Sequence, residues 1–148
     1  MIDTVVIATD GSESVRRAVA VALDLAERFD AEVHALYVVD TDEIESSPEE
    51  IRDDLETAIE KTGDEALSFA EEEVGESLDL TTAVCEGDPA TEIMEYADEI
   101  DADVIAVGTR GRHGDHAFLL GSVAEAVVRS APQPVLTVRQ LEAAETAP

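Results

Sequence analysis

Tryptophan is absent from this 148-residue chain, cysteine and lysine occur once each, and aromatic residues make up only 3%. With so few rings, the interior has to be assembled from valine, alanine, leucine and isoleucine. The lone Cys85 excludes an intrachain disulfide and fits a cytosolic, reducing compartment. No apolar run approaches the ~20 residues of a membrane span. The opening MIDTVVIATDGS has no basic region followed by a long apolar stretch, so a signal peptide is not expected. A cytoplasmic location is the resulting expectation.

Positive charge is the scarcest resource. Thirty-six acidic residues face nine basic ones, Lys61 being the one lysine, for a formal net charge of −27. Such a surface repels DNA, RNA and anionic membranes, so neither nucleic acid nor membrane is expected as a partner. Acids spread along the whole chain, with almost no lysine, fit adaptation to high salt. At about 1 M ionic strength the Debye length falls to roughly 3 Å and self-repulsion is screened. A halophilic protein is the expectation; an ordinary acidic protein is the alternative.

What is present is apolar content: 45% of residues, enough for a real core despite the charge. The pattern predicts one domain over residues 1–140, followed by a flexible tail at 141–148. TVVIAT (4–9) reads as a buried strand ending at Asp10-Gly11-Ser12. From Val15, apolar residues recur at Ala18, Val19, Ala22, Leu25, Ala26 and Phe29, which is helical spacing with Ser12 as cap. AEVHALYVV (31–39) is a second strand, and TDEIESSPEE a polar connection with a helix-start signal at Ser47-Pro48. A long helix carries Ile51, Leu55, Ala58, Ile59, Thr62, Ala66, Phe69, Ala70 and Val74 on one face, with Gly63 expected to weaken or bend it. Strand LTTAVCEG (80–87) precedes a helix capped by Asp88 with Pro89 at its first position. Strand ADVIAVG (102–108) precedes a helix beginning in a Ser122…Glu125 capping box, and PVLTV (134–138) closes the series. Strand–helix alternation with continuously apolar strands predicts an α/β fold: a single open five-stranded parallel sheet with helices on both faces, Rossmann-like.

In such sheets ligands bind at the carboxyl ends of the strands, where the strand order reverses. Two strand ends carry unusual residues: Ala8-Thr9-Asp10-Gly11-Ser12 and Val107-Gly108-Thr109-Arg110-Gly111. An order 3-2-1-4-5 would set them face to face. Residues 108–122, GTRGRHGDHAFLLGS, hold four of the chain's eight glycines. Glycines permit close approach of backbone to a phosphate, and Gly121-Ser122 precedes a helix whose free N–H groups attract anions. Arg110 or Arg112 could add charge-assisted contacts. Spacing alone leaves two readings open: an anion cradle, or merely a tight turn and a helix cap. Neither GxxxxGK[ST] nor GxGxxG is present.

The arrangement Gly108-x2-Gly111-x9-Gly121-Ser122, together with VVIATDGSE (5–13), LLGSVAE (119–125) and PQPVLTV (132–138), resembles the universal stress protein family in its ATP-binding branch. The resemblance covers essentially the whole chain. It implies the order 3-2-1-4-5, a homodimer, and ATP, with magnesium, as ligand. Matched to the family's pattern, Ala8, Thr9 and Asp10 would meet adenine and ribose, with Asp10 also able to reach a nucleotide-bound magnesium. Val38 would form an adenine wall. Val107, Gly108, Arg110 and Gly111 would contact ribose and phosphate, and Gly121, Ser122, Val123 and Ala124 the phosphates. The chain departs from the pattern at Ala8, where proline is frequent, and at Asp115-His116-Ala117, where a basic residue is often found third.

The implied role is a nucleotide-dependent stress-response or signalling module, the alternative being an interaction protein that uses no nucleotide. A nucleotide-using enzyme is less favoured: phosphoryl transfer needs an oriented nucleophile, and no convincing general base stands out. Slow or absent hydrolysis is expected. His113, Asp115 and His116 read as an exposed polar loop rather than a metal cluster, His34 as structural, and Cys85 as a small core residue. As the edge strand, Pro134, Val135, Leu136, Thr137 and Val138 would expose unpaired backbone groups, which pairing with a second copy would hide.

Overall fold

The computed structural model describes residues 1–109 and 120–139. Five strands form one all-parallel sheet in the order β3-β2-β1-β4-β5: β1 (Thr4–Thr9), β2 (Glu32–Asp40), β3 (Leu80–Gly87), β4 (Val104–Gly108) and β5 (Val135–Val138). The helices between them are α1 (Glu13–Phe29), α2 (Thr41–Glu45), α3 (Arg52–Val74), α4 (Pro89–Glu99) and α5 (Ser122–Ser130).

Period-two alternation along the strands builds two cores at once. Val5, Ile7, Val33, Ala35, Tyr37 and Ala106 point to the α1/α3 face, where they meet Val19, Ala22, Ile59, Leu67 and Ala70. Val6, Leu36, Ile105 and Val107 point the other way, onto Ala90, Ile93, Ala97, Ala124 and Val127 of α4 and α5. A sheet covered on both faces explains why its central strands are continuous apolar runs rather than alternating ones. Among the described residues, no helix is long and apolar enough to cross a membrane.

Several local expectations are corrected. The connection at 41–50 contains α2, which has no apolar periodicity and is started by Asp40, whose Oδ1 accepts from the N–H groups of Asp42 (3.1 Å) and Glu43 (3.3 Å). Phe29 and Ile51 lie outside the core, 49% and 48% exposed, because each stands at a helix end beyond the cover of the sheet. Helix α5 begins at the proposed cap itself, one residue earlier than a capping box would place it: Gly121 is the N-cap, Ser122 is the first helical residue, and no side-chain cap bond is made. Ser12 likewise makes no side-chain cap for α1. Asp88 does cap α4, accepting from Thr91 N–H at 3.1 Å, with Pro89 next to it. Gly63 does not interrupt α3. It lies against the Tyr37 ring, so close that an added Cβ would stand 2.7 Å from Cδ2.

Candidate functional site

The strand order reverses between β1 and β4, and a cavity of about 350 Å³ opens there. Every described member of the set named from the sequence lines it. Ala8, Thr9 and Asp10 come from the end of β1, Val38 from β2, and Val107 and Gly108 from β4. Gly121, Ser122, Val123 and Ala124 come from the start of α5. Arg110 and Gly111 lie outside the described residues, as do His113, Asp115, His116 and the tail at 141–148.

Each wall has a local cause. After β1, Gly11 adopts φ +79, a conformation that favours glycine, and a Cβ there would strike Thr62 of α3 at 2.5 Å. The reversal lets Asp10 fold onto its own turn: its Oδ1 accepts from Ser12 N–H (2.9 Å) and Ser12 Oγ–H (2.6 Å). Thr9 Oγ1 accepts from Gly11 N–H at 3.2 Å. The carboxylate of Asp10 is thereby held beside the cavity by backbone geometry. The apolar wall is Leu36, Val38, Val107 and the first turn of α1 at Val15.

The two glycines on the opposite wall are not there for backbone reasons. Gly121 has φ −67 and ψ 164, which any residue can adopt, and Gly108 is not among the positive-φ residues. A Cβ on Gly108 would be in ordinary contact, 3.5 Å from Ser14 O and from Val15. Both line the cavity with backbone alone, and at Gly108 a Cβ would pack against the start of α1. The start of α5 adds amide groups: Ser122, Val123 and Ala124 stand in its first turn, where N–H groups have no intrahelical acceptor.

Sequence reasoning did not include Val15, Leu36, Asp40, Glu43, Pro89 or Thr109, all of which line the cavity. Glu43 was hidden inside a segment that reads as a polar connection, Asp40 between that segment and the strand before it, and Pro89 inside a helix-start signal. Thr109 stood within a strand end already singled out, but nothing marked it apart from its neighbours. Its N–H donates to Val138 O (3.1 Å), and its carbonyl accepts from Gly121 N–H (2.6 Å), which ties the two ends of segment 109–121 together. Its Oγ1 is buried and has no hydrogen-bond partner among the described residues. The cavity therefore carries three carboxyl groups, from Asp10, Asp40 and Glu43, and no described lysine or arginine.

Residues singled out for other reasons are elsewhere. His34 Nδ1 and the Tyr96 hydroxyl are 2.7 Å apart, and the two rings meet edge to face, bracing β2 against α4. Cys85 packs at the edge of the α4/α5 core. Burial, then the charges of Glu92 and Glu99, push its thiol above the usual range, so the reactive thiolate is disfavoured.

A family model described as the universal stress protein family matches residues 1–139. Universal stress protein MJ0531 of Methanocaldococcus jannaschii is 41% identical over 138 residues, covering 92% of this chain and 81% of that one. Among solved structures, universal stress protein UspA from Lactobacillus plantarum superposes with a TM-score of 0.81 at 26% identity, covering 93% and 98% of the two chains. A universal stress protein in complex with cAMP superposes with a TM-score of 0.69 at 28% identity, covering 95% and 98%. With the fold, the whole-chain match and these relatives in agreement, the chain belongs to the universal stress protein family.

Proposed function

We propose that the cavity between β1 and β4 binds an adenine nucleotide, with ATP the expected ligand, and that the protein acts as a nucleotide-dependent stress-response or signalling module. The observation that carries this reading is the division of the cavity into three chemically distinct walls. Leu36, Val38 and Val107 offer an apolar slot suited to a base. Asp10, held by its own turn, offers a carboxylate suited to ribose hydroxyls or to the water shell of a nucleotide-bound magnesium. Bare glycine wall and uncapped helix start at Gly121–Ala124 offer N–H groups suited to phosphate. Arg110 and Gly111 complete the phosphate side in this reading. The relative that holds cAMP supports an adenine nucleotide as the ligand class.

The role assigned is binding rather than turnover: a nucleotide shifts a conformational or assembly equilibrium through unequal affinity for two states. The proposed assembly is a homodimer through β5, where Val135, Leu136 and Thr137 are only half-buried and the strand is at the sheet edge. Adaptation to high salt is part of the proposal and rests on the charge balance. The test is nucleotide retained through purification, plus the melting-temperature shift on adding ATP in molar KCl. Retention or a clear upward shift is expected. A folded protein with neither would sink the reading.

A further inference from the structure

We propose that the outer edge of β3 is a docking site for an extended segment of a partner protein, rich in lysine or arginine, which joins the sheet as an added strand. β3 ends the sheet on the side opposite β5, and it is the longer edge, eight residues against four. The Asp79 carbonyl accepts from Val33 N–H at 2.9 Å, and the register runs one to one from Leu80 opposite Val33 to Gly87 opposite Asp40. With period-two alternation, the backbone groups of Thr81, Ala83 and Cys85 therefore face β2, and those of Leu80, Thr82, Val84 and Glu86 face outward. Among the described residues, none bonds to these outward groups.

Sheet edges are normally guarded by a bulge, a proline, a lysine or short length. β3 has none of these: its register is unbroken, and LTTAVCEG carries one charge, Glu86. Thr82, Val84 and Glu86 are exposed, Val84 to 57%, although Val84 stands beside the buried Tyr37 of β2. An incoming strand would find main-chain partners for affinity and a valine to pack against.

Charge selects the occupant. From Thr62 to Thr109 the chain has fifteen aspartates and glutamates and no lysine, arginine or histidine. That stretch supplies most of the second half of α3, β3 itself and α4. Two of its acids, Glu92 and Glu99 of α4, stand against β3. A Cβ added to Gly87 would meet the Glu92 side chain at 3.0 Å, and both carboxylates act on the thiol of Cys85. A second copy would bring the same fifteen acids to the seam, whereas a basic segment would neutralise them.

The probe is a short blocked peptide alternating lysine with valine, compared with its glutamate counterpart. Both are titrated against the full chain in the lowest KCl concentration that keeps it folded, because salt screens the charge contribution. Amide hydrogen exchange reads where the peptide lands. The lysine peptide is expected to slow exchange at Thr82, Val84 and Glu86, and to bind at least about tenfold more tightly than the glutamate peptide. Val84→Pro removes an outward N–H and no bond to β2, a change that edge strands tolerate. It is expected to weaken binding about tenfold. Should that variant not fold, Val84→Lys, which adds like charge at an exposed position, is expected to weaken binding in the same direction. Equal affinity for the two peptides, unaltered exchange at these amides, or full binding by the folded variants overturns the proposal. Exchange that slows at the same amides with rising protein concentration and no peptide gives the edge to a second copy and overturns it as well.

Discussion

Gly121 shows how a single missing side chain can matter without any backbone demand. Its φ of −67 suits every residue, so the position could carry a better helix cap such as serine. A residue that is replaceable for folding but bare on a cavity wall points to space kept for something. Gly121→Val is expected to cost about 1 kcal/mol of stability, as a poor N-cap, and to abolish the ATP-induced rise in melting temperature. Paired melting curves with and without ATP separate the two effects; a valine variant that keeps the full rise would remove Gly121 from the phosphate wall. Cys85 gives a second residue-scale expectation. Because burial and two glutamates raise its thiol, alkylation at neutral pH is expected to be slower than for a free thiol of the unfolded chain, and to speed up as pH rises. Timed labelling with and without denaturant reads this directly.

At the scale of elements, α3 carries a conflict between local preference and packing. Helix propensity alone says that Gly63→Ala should stabilise by about 1 kcal/mol. The Tyr37 ring says otherwise: it is 1% exposed, its hydroxyl donates to the Ile59 carbonyl at 3.1 Å, and the new methyl would stand 2.7 Å from its edge. A ring held at both ends cannot step aside, so Gly63→Ala is expected to destabilise by about 1–3 kcal/mol, measured by urea unfolding. Stabilisation would mean that α3 shifts freely on the sheet. The order of the strands and the switch point were legible because β-branched runs alternate with helical spacing, and because Asp10-Gly11 and Gly108 stand at strand ends. Other features were not legible for reasons that lie in tertiary structure. Gly63 reads as a weak point until the ring beside it is known. Helix α2 has one partly buried apolar residue, Ile44, and depends on a carboxylate from the strand before it. Strand β4 starts at Val104 rather than 102 because Asp103 turns its carboxylate to the N–H groups of Asp3 (2.8 Å) and Thr4 (3.1 Å). Thr109 stayed invisible because an unpaired hydroxyl leaves no trace in the sequence.

Across the whole molecule, the charge balance makes a prediction about salt. The described arginine–carboxylate pairs, Arg28–Asp24 and Arg129–Glu125, lie on exposed helix surfaces and are each worth only about 0.3–0.5 kcal/mol. They do little against a net charge of −27. Moving from about 0.1 M to about 1 M salt shortens the Debye length from roughly 10 Å to roughly 3 Å, and the melting temperature is expected to climb across that range. A flat or falling profile in KCl would separate this chain from salt-adapted proteins. Sedimentation in the same buffers is expected to give twice the mass of one chain, the proposed β5 pairing being favoured once repulsion between copies is screened.

One short bond has a consequence for how this family member could change over time. The link from Gly121 N–H to the Thr109 carbonyl fixes both ends of the intervening segment, independent of what lies between. Closing a longer chain between the same anchors costs only about 0.6 kcal/mol for each doubling of length. A change in the length of the chain between Thr109 and Gly121 is therefore expected to cost the fold little, which urea unfolding of length variants would read. Under the proposed nucleotide reading, a graft between Thr109 and Gly121 is expected to change ligand affinity while leaving the melting temperature of the ligand-free protein nearly unchanged.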